Sequence, residues 1–215
     1  MTSTGPAPIR GSGVPAKLAA FPLRTFRAAD AMVAFAHPYP QRSRLQRRGS
    51  LHRVAPGYYI VVPQEHVGTG WMPTLEAAAA GIAQARFGPQ RALLMGVSAA
   101  RAHGAIPGAL SSALVAAPAQ HDPIMLLERA ATVRFVRRDH LDVESISTEL
   151  GRVLVTSIEQ TVLDLARKPS LGVAEGQIPE AVTAMLARCD GRVLDELATR
   201  RHLVSALQRA QAWAR

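Results

Sequence analysis

Cysteine is nearly missing from this chain of 215 residues: Cys189 stands alone. One thiol permits no internal disulfide and no thiolate metal cluster, which fits a reducing cytoplasm. No apolar run approaches the roughly 18 residues of a membrane span, the nearest being the alanine-rich residues 77–83, so no membrane partner is expected. The N-terminus lacks the basic-then-apolar order of a secretory signal, and residues 2–14, rich in Gly, Pro, Ser and Thr, read as part of a flexible tail over 1–15. Lysine is scarce, with only Lys17 and Lys168 among 25 basic residues. Together with the alanine excess this points to a GC-rich coding sequence, so part of the arginine preference is compositional. A phosphate-cradling loop ending in Gly-Lys-Ser/Thr is absent, as is any Asp-x-Asp after Gly11-Ser12-Gly13. Neither a nucleotide-binding loop nor a nucleotidyltransferase centre is therefore expected. No internal repeat of solenoid period is present.

What remains is a globular composition, 48% hydrophobic and 19% charged, which argues against wholesale disorder. The length suits one large domain or two small ones. Charge is unevenly placed along it. Residues 1–66 hold nine basic side chains against Asp30 and Glu65, giving +7, while the remaining 149 hold sixteen basic against fourteen acidic, giving +2. An excess confined to one end is expected if one module meets a polyanion and the other does not.

The periodicity predicts a first helix near 16–20, stopped by Pro22, and a second over 25–35 with Thr25 as N-cap. Pro40 then opens a helix that Gly49 ends. Residues 50–54 and 58–62 are β-rich, and Ala55-Pro56-Gly57-Tyr58 between them matches a type II turn. Acid is absent from Gln41 to Arg53, whereas Arg42, Arg44, Arg47, Arg48 and Arg53 all fall there. A basic helix followed by a β-wing is the shape that enters a DNA groove and braces on phosphate. At 100° per residue Arg44, Arg47 and Arg48 share a face, and Leu45 is expected to point away from Arg42 as an inward anchor. Arg44 and Arg47 are the expected readers of base edges, and Arg48, Arg53 and His52 the expected phosphate contacts. Gln41, Ser43 and Gln46 either read bases or are simply solvated. Tyr58 and Tyr59, neighbours on a strand, are expected to face opposite ways, one packing under the wing and the other exposed towards phosphate, with Tyr59 the candidate DNA contact and core packing the favoured role for either.

Residues 71–73 read as a linker into a second module over 71–215. There the sequence predicts helices at 74–86 and 96–103, strands at 112–117 and 131–137, and a hairpin of 144–147 with 151–155. A capping box at Thr156-Ser157-Ile158-Glu159 opens a helix to 166, and helices over 178–189 and 192–214 form a tail. The predicted class is α+β: an N-terminal winged helix-turn-helix over 16–66, then a mixed α+β domain with a helical tail.

Three segments in order carry a resemblance over roughly residues 20–168: Leu45-Gln46-Arg47-Arg48-Gly49-Ser50 running through the Pro56-Gly57 hairpin to Tyr59, Gly96-Val97-Ser98-Ala99-Ala100-Arg101-Ala102-His103-Gly104, and Arg152-Val153-Leu154-Val155-Thr156-Ser157-Ile158-Glu159-Gln160-Thr161-Val162-Leu163-Asp164-Leu165-Ala166-Arg167. In these the chain resembles the AbiEi-type antitoxins, transcriptional regulators of type IV toxin–antitoxin systems. The resemblance implies a winged helix that binds inverted repeats in its own promoter as double-stranded DNA. It also implies a C-terminal domain needed to neutralise a co-encoded nucleotidyltransferase toxin. Two other modes stay open, direct grip of the toxin and, less favoured, its phosphorylation. Some relatives continue into a nuclease, but no acidic strand with Glu-x-Lys follows residue 166 here.

Enzymatic readings are weaker. Ser98 and His103, five apart on a helix, are poorly aligned as nucleophile and base, so Ser98 is read as a helix N-cap and Gly104 as a helix end. Asp139, His140, Asp142 and Glu144 lack a second ligand cluster, and His121-Asp122 is weaker still. Asp164, set among apolar residues, is expected to pair with a basic side chain. No enzyme activity, cofactor or metal is expected.

Overall fold

The first proline opens a short 3-10 turn, Pro22–Arg24, and extended backbone follows it where a helix was expected. The computed structural model describes residues 13–170 and 175–215 and is a mixed α and β structure. Gly11-Ser12 and most of the expected tail lie outside the described residues. A single turn, α1 (Ala16–Ala19), is followed by β1 (Thr25–Arg27) and a 3-10 helix, Ala28–Val33. The helix predicted over 25–35 is thus replaced, and two local bonds explain why. Thr25 Oγ1 donates backwards to Leu23 O at 2.7 Å instead of capping forwards. Asp30 accepts from the Arg27 backbone N–H at 2.9 Å and meets its guanidinium at 3.0 Å, which starts the helical turns after Arg27. Burial alone would raise the Asp30 carboxyl, but the Arg27 interactions outweigh it and hold it below its ordinary range.

Next comes α2 (Pro38–Arg47), with proline in its first turn and Gly49 beyond its end at φ +66°. The hairpin of β2 (Leu51–Ala55) and β3 (Tyr58–Val61) comes after it, turned at Gly57 with φ +81°. That left-handed angle is the one a type II turn demands of its third residue. The three strands form an antiparallel sheet in the order β1-β3-β2.

The second half opens with α3 (Leu75–Phe87), whose N-cap Thr74 accepts from the Ala77 N–H. It continues through β4 (Leu93–Leu94), α4 (Gly96–Ala102), β5 (Ser112–Ala117), β6 (Ile124–Met125), β7 (Thr132–Arg137), β8 (Val143–Thr148), β9 (Gly151–Thr156) and α5 (Ile158–Arg167). The tail is α6 (Ile178–Leu186), α7 (Gly191–Arg200) and α8 (Val204–Trp213). Six strands lie in the order β6-β7-β5-β4-β9-β8, with β5/β7 and β4/β9 parallel and the other neighbours antiparallel. One face packs on α3, the other on α4, α5 and the helical tail. Two details differ from the sequence reading. The cap of α5 is Ser157, which accepts from the Gln160 N–H, while Thr156 Oγ1 turns to Thr161. The helix predicted over 192–214 breaks at His202, φ +55°, so that Leu203 can enter the core. No helix among the described residues is long and apolar enough to cross a membrane.

The two tyrosines show how the halves join. Both are buried, each 7% exposed, so the expectation that one faces solvent is wrong. Their side chains do alternate, but β3 is the central strand and has protein on both faces. Tyr59 and Val61 pack with Phe26, Leu45 and Leu51, whereas Tyr58 and Ile60 pack with α3 and the six-stranded sheet. Residues 16–66 therefore share a continuous core with the second half of the chain. The tightest approach is at Gly81 of α3, where a Cβ would lie 2.2 Å from Thr25 Oγ1.

Candidate nucleic-acid interface

On α2 the side chain that turns inward is Leu45, buried among Phe26, Leu51 and Tyr59. With that position fixed, Arg44 and Arg47 turn away from it, Arg48 sits at the helix end, and all three are exposed. On β2, Leu51 and Arg53 stand opposite Val61 and Tyr59 in the ladder, so they face the α2 side of the sheet. Arg53 is exposed there. Among the described residues, none of these four guanidiniums forms an ion pair or hydrogen bond within the protein. The result is an acid-free cationic face on a helix and the neighbouring strand, mounted on a sheet that is packed on both sides.

Three residues expected at that face are not there. Arg42 donates from Nη1 to Ala28 O at 2.7 Å, and its guanidinium lies 5.0 Å from the centre of the Tyr59 ring. The expectation that Leu45 points away from Arg42 misread the helix: three residues are about 60° apart, so Arg42 flanks the anchor. Tyr59 is the other side of this contact; Phe26 stacks on it at 5.7 Å, and it is a core residue rather than a phosphate contact. His52 faces the opposite side of β2 from Arg53. Its Nε2 bonds to Trp71 O and its Nδ1 lies 3.6 Å from Glu128, which removes it from the phosphate set. Strand alternation was legible at His52-Arg53, since adjacent residues cannot both brace on one surface. Gln41, Ser43 and Gln46 are half-buried on the flanks of α2.

Arg42 and Tyr59 instead hold α2 at its angle to the sheet. Arg42→Ala is expected to lose about 2 kcal/mol of stability, from a charged hydrogen bond and a cation–π contact. Urea unfolding reads that loss. The salt dependence of any DNA binding should stay as in the wild type, and a flatter salt response would return Arg42 to the phosphate contacts.

The remaining candidates are structural. Ser98 is buried and its Oγ accepts from the Leu114 N–H at 2.8 Å; the N-cap of α4 is Met95, not Ser98. His103 is turned away to Thr156 O at 2.8 Å and Glu144 at 3.2 Å. Glu144 is thereby engaged on β8, and the Asp142 N–H points to Gln160 Oε1 at 3.5 Å. His121 bonds to Asp122 O at 2.6 Å and packs edge-on against Phe135.

Asp164 has the expected basic partner: Arg138 Nη2 lies 3.0 Å from its Oδ1. Burial nonetheless raises its carboxyl above the ordinary 3.8, the attraction of Arg138 offsetting only part. An acid raised on folding favours the folded state below its unfolded value, and that contribution is lost as pH climbs through the raised value. Asp164→Asn should therefore shrink the fall in urea midpoint between about pH 4 and about pH 7. An unchanged profile would remove Asp164 as its source.

No protein-family model matches this chain, and no curated protein matches it either.

Proposed function

We propose that the chain is a winged-helix regulator that binds duplex DNA, with α2 in the major groove and the β2–β3 hairpin as the wing beside it. The observation that carries this reading is the acid-free set Arg44, Arg47, Arg48 and Arg53, exposed on adjoining elements with no partner among the described residues. Guanidiniums that stay hydrated in the free protein meet phosphate with release of condensed counterions, and this favours binding strongly at low salt. Arg44 and Arg47, both in the last turn of α2, suit the paired acceptors O6 and N7 of guanine. Arg48 and Arg53, at the helix end and on the wing strand, suit phosphates and set the register. Arg42 and Tyr59 position the helix without touching the duplex.

The sequence resemblance to AbiEi-type antitoxins supplies the biological setting of the proposal. The operator is then an inverted repeat in the chain's own promoter, occupied by two copies or by cooperative binding. The α+β portion then serves to neutralise a co-encoded nucleotidyltransferase toxin. Selection of bound duplexes from a random pool tests the first part, with a palindromic consensus expected. Recovery of a random pool would overturn it. For the second part, co-expression with the neighbouring nucleotidyltransferase should restore growth even when Arg44 and Arg47 are both alanine. Failure of that variant to rescue, with the wild type rescuing, would tie neutralisation to DNA binding instead.

A further inference from the structure

A second cationic site lies on the other face of the six-stranded sheet, away from α3 and α2. Its cavity, about 200 Å³, is walled by Arg138 just beyond β7, His140 in the following loop, Gln160 and Arg167 on α5, and Arg201 at the end of α7. Asp139 is the acidic residue in the wall, and Asp164 reaches it only through its pair with Arg138. The three arginines differ in how they are held. Arg138 is fixed by the buried Asp164, which pre-sets its direction. Arg201 is half-buried, and its shielded Nε has no hydrogen-bond partner among the described residues. Arg167, exposed at the last position of α5, also forms no side-chain hydrogen bond there.

A shielded guanidinium N–H left without an acceptor, as at Arg201, is costly, and an anion between Arg201, the pre-set Arg138 and the exposed Arg167 would supply one. Arginine is also the side chain whose planar fork matches tetrahedral oxyanions. The space is enough for one phosphate group.

We infer that this cavity binds a small phosphate-type oxyanion, either free phosphate or the phosphate of a monoester, through Arg138, Arg167 and Arg201. The site is separate from the duplex-binding face, and the inference does not depend on that reading. Binding would draw β7, α5 and α7 together, because each contributes one guanidinium.

Thermal unfolding of the full chain with inorganic phosphate, against sodium chloride at equal ionic strength, tests it. Phosphate should raise Tm saturably by a few degrees, on the order expected for ligand linkage to the folded state. The rise should be lost in Arg167→Gln and in Arg167→Gln/Arg201→Gln, and kept in Arg192→Gln, which alters an exposed arginine of α7. Because the Arg167 side chain is exposed and unpaired among the described residues, its single variant keeps the test free of folding defects. A nucleoside monophosphate added in place of phosphate separates the two sources: a lower midpoint identifies a monoester, an equal or higher one the free ion. No rise beyond that of chloride, or a rise retained in full by the double variant, overturns the inference. Weaker duplex binding in the double variant with the phosphate response intact would likewise overturn it, making these arginines part of the DNA surface.

Discussion

Gly81→Ala is expected to lower stability by about 3 kcal/mol, at the upper end of what overpacking costs. In a chain of this size that is a fall in Tm of roughly 6–12 °C. The new methyl group would lie 2.2 Å from Thr25 Oγ1 and 3.0 Å from its Cβ, and neither neighbour can yield. Thr25 is fully buried on β1 and tied to Leu23 O, and Gly81 sits mid-helix in α3. The two elements must therefore part, and with them the three-stranded sheet that carries the cationic face. Thr25→Ala removes the nearer atom, so the double variant Thr25→Ala/Gly81→Ala should recover about 1 kcal/mol relative to the sum of the singles. Calorimetry of the four proteins gives the coupling. Strict additivity would mean that α3 and β1 do not meet at this point.

Replacing Arg44 and Arg47 together by alanine is expected to weaken binding to the selected duplex by two orders of magnitude or more. Each bidentate contact to a guanine contributes about 1–3 kcal/mol of discrimination, and both side chains would be lost. Stability should hardly change, because both are exposed and make no contact that folding needs. Anisotropy titrations with the selected duplex and a scrambled one separate the effects. Affinity for the scrambled duplex should drop far less, since Arg48 and Arg53 remain. Equal losses on both duplexes would reassign Arg44 and Arg47 to phosphate.

The helix, Pro-Gly turn and hairpin between residues 38 and 61 were legible because proline, glycine and β-branched residues act locally there. The same was true of α3, α5 and the strands at 112–117 and 132–137. What could not be read was anything fixed by a distant partner. β4 and β6 are two-residue strands that exist only through their neighbours in the sheet. Tyr58 and Tyr59 both became core because α3, later in the chain, covers the Tyr58 side of β3 while Phe26, Leu45 and Leu51 cover the other. Thr25 was misread as a cap because its true bond, to Leu23 O, runs against the chain direction. At the candidate site, charge alone put Arg42 and His52 with the others. Their real partners, Tyr59 and Ala28 O in one case, Trp71 O and Glu128 in the other, come from packing.

The most direct measurement is duplex affinity as a function of salt, for the wild type and for Arg48→Ala/Arg53→Ala. Four engaged guanidiniums imply a log–log slope near −3.6, or about a hundredfold loss of affinity from 50 to 200 mM salt. Removing two phosphate contacts should bring the slope up by about two. A salt-independent affinity, or the same slope in both proteins, would contradict the placement of this arginine face against DNA.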